Sequence, residues 1–313
     1  MQAALTFASD APGYPLTAGS QELRSAIAAW CRSHLSASGE FGVLPTIGSK
    51  ELVAWLPTLL GSRKVLFPEI AYPTYSVGAV IAGAEGIAVG DDPRDWPAAD
   101  LVWLNSPSNP TGRVLEASQM RAALDWARQN NAVIASDECY FEFGWDRKPV
   151  SIMQVAGDDL SRVLAVHSMS KRSNLAGYRA AFVAGDVGII ERLLEIRKHA
   201  GMIVPMPIQN AMIAALGDTE HVVVQRERYL RRRDVLSKAL VGAGFKIEHS
   251  EAGLYLWVTR GEDAMTTVDW FATRGILVVP GTFYGAGGSM HVRITLTATD
   301  ERVQSAERRL ASP

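Results

Sequence analysis

Lys171 is the residue whose neighbours give this chain a chemistry. It closes Ser168-Met169-Ser170-Lys171, directly after a strand candidate over 162–166, and Arg179 follows beyond Gly177. A lysine amine can condense with an aldehyde. Upstream lie Asn109 in NPTG and Asp137 and Tyr140 in SDECY. A carboxylate at a strand end can hold a proton on a ring nitrogen. Gly48-Ser49-Lys50 opens a helix candidate. A helix N-terminus with hydroxyls and a cation beside it suits a phosphate. Tyr72 in AYPTY offers a ring to stack on, and Arg293 in HVRITLTAT offers a fork for a carboxylate.

An aldehyde, a ring nitrogen, a phenolic oxygen and a phosphate are together the demands of pyridoxal phosphate. Taken singly, each residue has a plainer reading. A lone lysine is ordinarily a solvated surface residue. NPTG is an ordinary turn and Asp137 an ordinary strand-end acid. Tyr72 could be a core aromatic, Arg293 a surface charge, Arg179 half of an ion pair, and Ser49 an N-cap. Their order along one alternating pattern favours the joint chemical reading. Cys139, beside Tyr140, reads as a small buried residue and not as a nucleophile.

The elements that must position these residues alternate. The apolar stripe Leu52, Val53, Leu56, Leu59 and Leu60 predicts a helix over Ser49–Leu60. Short strands are predicted over 65–67, 101–104, 132–135 and 162–166. A helix over 118–130 is predicted to be capped by Ser118. Short apolar strands between helices imply parallel βαβ units in a doubly wound, mostly parallel sheet. Ligands gather at the carboxyl ends of such strands. Asn109, Asp137 and Lys171 each lie just past a strand end.

The remainder reads differently. One long charged helix spans 219–243. Strand candidates over 255–258, 276–279 and 291–295 follow, with helices over 267–274 and 300–311. The fold class is therefore α/β, with a large cofactor-binding lobe over 1–218, an interdomain helix over 219–242 and a small α+β lobe over 243–313. No internal repeat or low-complexity linker interrupts them.

The 313 residues carry a formal net charge of -2, and 48% are hydrophobic. That suits a large core and argues against a nucleic-acid binder. Arg231, Arg232 and Arg233 stand among Glu227 and Asp234, as on a solvated helix face. The two cysteines and scattered histidines form no disulfide framework and no metal spacing. No signal peptide is legible at the start. No apolar stretch reaches the ~18 residues of a membrane span. A cytoplasmic protein without a membrane partner is expected.

On these motifs the sequence resembles the fold type I pyridoxal-phosphate aminotransferases of class I and II, from Tyr14-Pro15 to the last helix. The resemblance implies that Lys171 is the Schiff-base lysine and proton shuttle. Asp137 would pair with the pyridine nitrogen. Tyr140 and Asn109 would contact the phenolic oxygen, and Tyr72 would stack on the ring. Gly48, Ser49, Lys50, Ser168 and Arg179 would hold the phosphate. Arg293 would take the substrate α-carboxylate, with Asn109 beside it. Tyr14 of GYPLTAG would reach the phosphate of the other subunit, which implies a homodimer acting on amino-acid and keto-acid substrates.

The runs LPTIGSKELVAWLPTLLG, PEIAYPTYSVG, HSMSKRSNLAGYR, RKHAGMIVPMPIQ and HSEAGLYLW resemble the N-succinyldiaminopimelate aminotransferase branch. That branch moves an amino group between glutamate/2-oxoglutarate and N-succinyl-2-amino-6-oxopimelate, in lysine biosynthesis. Aspartate aminotransferases of the superfamily carry an arginine near the segment Met202-Ile203-Val204-Pro205-Met206-Pro207, which has none. Lys198, His199 and Arg172 are the candidates for a distal carboxylate. Family members also carry a longer segment ahead of the Tyr14 motif, with a glycine turn that closes over substrate. Few residues precede Tyr14 here, so cofactor binding is expected to survive and closure to differ. Two alternatives share the fold. A carbon–sulfur β-lyase would use the same residues but release pyruvate from cystathionine. A non-catalytic regulator would carry a DNA-binding segment, for which no basic stretch is left.

Overall fold

The computed structural model describes residues 1–311. Seven short strands form the larger sheet: β1 (Gly42–Ile47), β2 (Lys64–Pro68), β3 (Glu85–Val89), β4 (Leu101–Asn105), β5 (Val133–Asp137), β6 (Val163–Ser168) and β7 (Ala180–Gly185). Their order is β1-β7-β6-β5-β4-β2-β3. Strands β2 to β6 pair in parallel, while β7 runs antiparallel to both β6 and β1. This is the mostly parallel α/β sheet that the alternation predicts. β4, β5 and β6 are buried along their whole length. Helices on both faces explain why these strands read as unbroken apolar runs.

The first nine helices are α1 (Gln2–Phe7), α2 (Gln21–His34), α3 (Ser49–Leu60), α4 (Thr74–Ile81), α5 (Ala117–Gln129), α6 (Ile152–Ala156), α7 (Met169–Arg172), α8 (Val187–His199) and α9 (Met206–Leu216). One face of the sheet is covered by α2, α5, α6 and α9, through Ile27, Met120, Met153 and Met212. The other is covered by α3, α4 and α8, through Leu56, Tyr75 and Leu193.

Three more helices accompany the second sheet: α10 (Glu220–Gly242), α11 (Ala264–Thr273) and α12 (Asp300–Leu310). Its strands are β8 (Lys246–Glu248), β9 (Tyr255–Thr259), β10 (Val279–Pro280) and β11 (Val292–Thr295), in the order β10-β11-β9-β8. Every pairing in it is antiparallel. Leu236, Leu240, Phe271 and Val303 fill its core, and Tyr140 and Phe143 join them from beyond β5. That shared cluster brings the small sheet against the carboxyl edge of the large one.

Several boundaries differ from the sequence reading. Helix α5 is capped by Glu116, not Ser118. Glu116 has extended backbone angles and forms a reciprocal capping box with Gln119. Helix α11 begins at Ala264, because Asp263 accepts a hydrogen bond from the Met265 N–H. The strand expected over 276–279 shrinks to Val279–Pro280, and Leu277 points into solvent. Among the described residues, no helix is long and apolar enough to cross a membrane. None of them forms a cluster suited to a metal ion, and both cysteines are unpaired.

Candidate active site

Parallel register sets the site. Asn105 stands opposite Asp137, and Asp137 opposite Val166, so β4, β5 and β6 end at one edge. Beyond that edge lies a cavity of about 270 Å3. Its walls include Ser49, Lys50, Tyr72, Asn109, Asp137, Tyr140, Ser168, Lys171, Arg179 and Arg293. The structure thus brings together every residue expected at the cofactor and the α-carboxylate except Gly48, which lies just behind Arg179, and Tyr14, which is 99% exposed.

Asp137 is buried in the cavity wall. Its Oδ2 accepts from the Tyr75 hydroxyl at 2.9 Å, and its Oδ1 from the Cys139 N–H at 3.2 Å. Burial pushes its pKa up, while the hydrogen bonds from Cys139 and Tyr75 pull it back. Burial also pushes the Tyr75 phenol well up, which keeps its proton available to the carboxylate. Behind Asp137, Asn105 ties the edge together. Its side-chain amide donates to the Asp137 carbonyl at 3.0 Å, and its Oδ1 accepts from the Asn109 N–H at 2.8 Å.

Lys171 lies in the four-residue helix α7, whose N-cap Ser168 accepts from the Ser170 N–H. Its ammonium makes no hydrogen bond or ion pair with the described residues, and stands 6.0 Å from the centre of the Tyr140 ring. Arg293 rises from β11. One Nη donates to Asn109 Oδ1 at 2.8 Å, while its buried Nε has no partner among the described residues. The guanidinium lies 4.0 Å from the centre of the Tyr255 ring.

At the opposite end, α3 opens on Gly48 with no side-chain cap. Its first N–H groups are therefore free for an anion. The one acidic residue of that turn, Glu51, is drawn off by a bidentate pair with buried Arg197, at 2.7 and 2.8 Å. Gly48 has φ +77, and a Cβ there would collide with the Arg179 guanidinium. Only glycine lets Arg179 close on this helix end. Gly48→Ala is therefore expected to displace Arg179 and weaken phosphate-ester binding tenfold or more, for a strain of about 1–3 kcal/mol. Titrating pyridoxal phosphate by fluorescence checks this, and unchanged affinity would contradict the assignment.

The wall carries four cationic side chains, Lys50, Lys171, Arg179 and Arg293, against the single carboxylate of Asp137. A free amine, an anion cradle that a Cβ would fill, and an unpartnered guanidinium Nε fit pyridoxal phosphate with an amino acid. The candidates for a distal carboxylate lie elsewhere. Arg172 is buried against Glu142 and the Trp30 ring. Lys198 and His199 pair with Glu195 at the exposed end of α8. None of the three lines the cavity. Cys139 is only half buried and does line it, but burial pushes its thiol well up and keeps it protonated.

Sequence reasoning missed Tyr75, Asn105 and Tyr255. Tyr75 follows Tyr72 by less than one helical turn, Asn105 ends an apolar strand, and Tyr255 opens β9. Those placements were the available signals.

The model of the family "Aminotransferase class I and II" matches residues 7–310. A 4-dedimethylamino-4-oxo-anhydrotetracycline transaminase of Streptomyces rimosus is 54% identical over 98% of this chain and 88% of its own length. A probable aminotransferase of Mycobacterium tuberculosis is also 54% identical, over 99% of this chain and 76% of its own. An LL-diaminopimelate aminotransferase of Dehalococcoides mccartyi is 32% identical over 96% and 82%. Among solved structures, substrate-bound BacF from Bacillus subtilis superposes with a TM-score of 0.91 at 28% identity, over 99% of this chain and 85% of that one. A probable N-succinyldiaminopimelate aminotransferase from Thermus thermophilus gives 0.89 at 27%, over 99% and 89%. The chain belongs to the class I and II aminotransferase family, and it is a pyridoxal-phosphate-dependent aminotransferase.

Proposed function

We propose that this enzyme moves an amino group between glutamate/2-oxoglutarate and N-succinyl-2-amino-6-oxopimelate, as a cytoplasmic homodimer. The observation that carries the reading is Arg293, which lines the cavity of Lys171 with its Nε buried and, among the described residues, unpartnered. When bound, pyridoxal phosphate supplies an electron sink for the Cα–H bond of an amino acid. Lys171 Nζ holds the cofactor and carries the proton. Asp137 keeps a proton on the ring nitrogen. Asn109 and Tyr140 donate to the phenolic oxygen, and Tyr72 covers the ring. The α3 N-terminus with Gly48, Ser49 and Lys50, together with Ser168 and Arg179, binds the phosphate. Arg293 orients the α-carboxylate. The lobe over 1–218 would then hold the cofactor, while the lobe over 243–313 presents Arg293. Phe7, Tyr14 and Leu16 are exposed on the N-terminal arm, which supports a partner subunit that covers them. The unpaired cysteines fit a reducing compartment.

The 54% identity to the Streptomyces rimosus transaminase supports a second acceptor, a fused-ring ketone of the kind in that enzyme's name. One experiment separates the readings. Borohydride reduction should fix the cofactor on the peptide bearing Lys171. Glutamate should then yield 2-oxoglutarate with untreated enzyme, and amino transfer to N-succinyl-2-amino-6-oxopimelate should outrun transfer to the fused-ring ketone. Pyruvate release from cystathionine without amino transfer would sink the proposal in favour of the β-lyase. Label found away from Lys171 would sink the site assignment itself.

A further inference from the structure

Tyr255 and Tyr140 form a buried phenol pair, with hydroxyl oxygens 2.5 Å apart and ring centres 5.5 Å apart in an edge-on arrangement. They reach each other from different sheets. Tyr140 follows β5 of the large one, and Tyr255 opens β9 of the small one. A phenol has one proton to give and lone pairs to receive. In a pair this close, one hydroxyl donates and the other accepts. A Tyr140 that donated to Tyr255 would have no proton left for the cavity. A Tyr140 that accepts keeps its proton for the cavity, and the bond it accepts strengthens the one it gives. Burial pushes the Tyr140 phenol well up, so that it keeps its proton.

The Tyr255 ring has a second contact. In the antiparallel register of β9 and β11, Tyr255 faces Thr295 and Trp257 faces Arg293. Tyr255 is therefore diagonal to Arg293 on one face of the small sheet. The guanidinium lies over its ring at 4.0 Å, with the Tyr284 ring at 5.1 Å. One residue thus touches the side chain assigned to the cofactor's phenolic oxygen and the side chain assigned to the substrate carboxylate.

We propose that Tyr255 is a positioning residue joining the two ends of the site. Its hydroxyl donates to Tyr140 Oη and turns the Tyr140 proton into the cavity, while its ring face sets the plane of the Arg293 guanidinium. This rests on the roles given above to Tyr140 and Arg293.

The test uses the resting holoenzyme without substrate, and follows the pH at which its visible absorption band titrates. A donor to the phenolic oxygen favours the more anionic form of the chromophore, so a weakened donor moves the titration to higher pH. Tyr255→Phe should shift it upward by roughly half a unit to one unit, and Tyr140→Phe should shift it further the same way. The KM for glutamate should stay within about twofold in Tyr255→Phe, which keeps the ring, and rise roughly tenfold in Tyr255→Leu, which does not. Tyr255→Phe preserves the shape of the buried cluster, so it carries the test if Tyr255→Leu fails to fold. A Tyr255→Phe titration that superimposes on wild type, while Tyr140→Phe moves, overturns this proposal and leaves the Tyr140 role standing. If neither variant moves, both fall. An equal rise in KM in the two Tyr255 variants overturns the part assigned to the ring.

Discussion

Asp137→Ala is expected to give a folded protein that has lost nearly all turnover. The loss should be on the order of several kcal/mol in the barrier, where each ~1.4 kcal/mol is tenfold in rate. Asp137 is buried, and its carboxylate is fixed by the Tyr75 hydroxyl and the Cys139 N–H. Those two donors anchor it without consuming all of its lone pairs, and what is left faces the cavity. A carboxylate held there would keep a proton on the ring nitrogen of the cofactor. A methyl group cannot, and electron withdrawal from the reacting carbon weakens. Asp137→Asn isolates this effect, because its amide oxygen can still accept from the Cys139 N–H while its amide nitrogen donates to the Tyr75 hydroxyl oxygen. Steady-state kinetics with glutamate check both variants, and wild-type-like turnover in a well-folded Asp137→Asn would rule the role out.

The same carboxylate costs the empty protein stability. Burial raises the pKa of Asp137 in the folded state above its ordinary value. The folded state therefore binds the proton more tightly than the unfolded chain, and the stability that Asp137 contributes falls as pH rises between the two values. In cofactor-free protein, Asp137→Asn should remove that part of the acid-range slope and be at least as stable as wild type at neutral pH. Denaturant midpoints across pH measure this. Lower activity with unimpaired stability would mark Asp137 as a residue kept for chemistry.

Asp137, Asn109 and Lys171 were legible in the sequence for a physical reason. Buried parallel strands have no polar face to interrupt them, so β4, β5 and β6 stand out as apolar runs with their chemical residues just past the ends. Strands β1 and β7 were not legible. β1 contains Pro45, which lowers any strand reading, and its place at the sheet edge is where proline is tolerated. β7 is rich in alanine and glycine and carries no strong strand signal. Tyr75 and Tyr255 escaped notice because each acts on a partner distant in sequence, Asp137 and Tyr140 respectively. Arg172 misled through its adjacency to Lys171. In a short helix neighbouring side chains diverge, and Arg172 turns into the core toward Glu142.

Arg293→Lys is expected to bind pyridoxal phosphate normally and to handle every amino donor poorly. The arginine is held from three sides: Asn109 accepts from one Nη at 2.8 Å, and the Tyr255 and Tyr284 rings lie 4.0 and 5.1 Å from the guanidinium carbon. Its buried Nε has no partner among the described residues. A carboxylate entering here can take two parallel hydrogen bonds, which fix direction as well as distance. An amino acid needs that direction, because the bond to be broken must stand perpendicular to the plane of the ring. A lysine ammonium gives charge but no fork, and it cannot stack on Tyr255 as a planar guanidinium does. The loss should appear mainly in kcat/KM, at about 2–4 kcal/mol. It should be the same for glutamate and for a keto acid acceptor that presents its own α-carboxylate. The acceptor whose reacting carbonyl lies far from any carboxylate should be affected less in its own half-reaction, which single-turnover measurements of each half resolve. Loss of cofactor affinity in Arg293→Lys, or a glutamate half-reaction that proceeds at the wild-type rate, would remove this arginine from the substrate site.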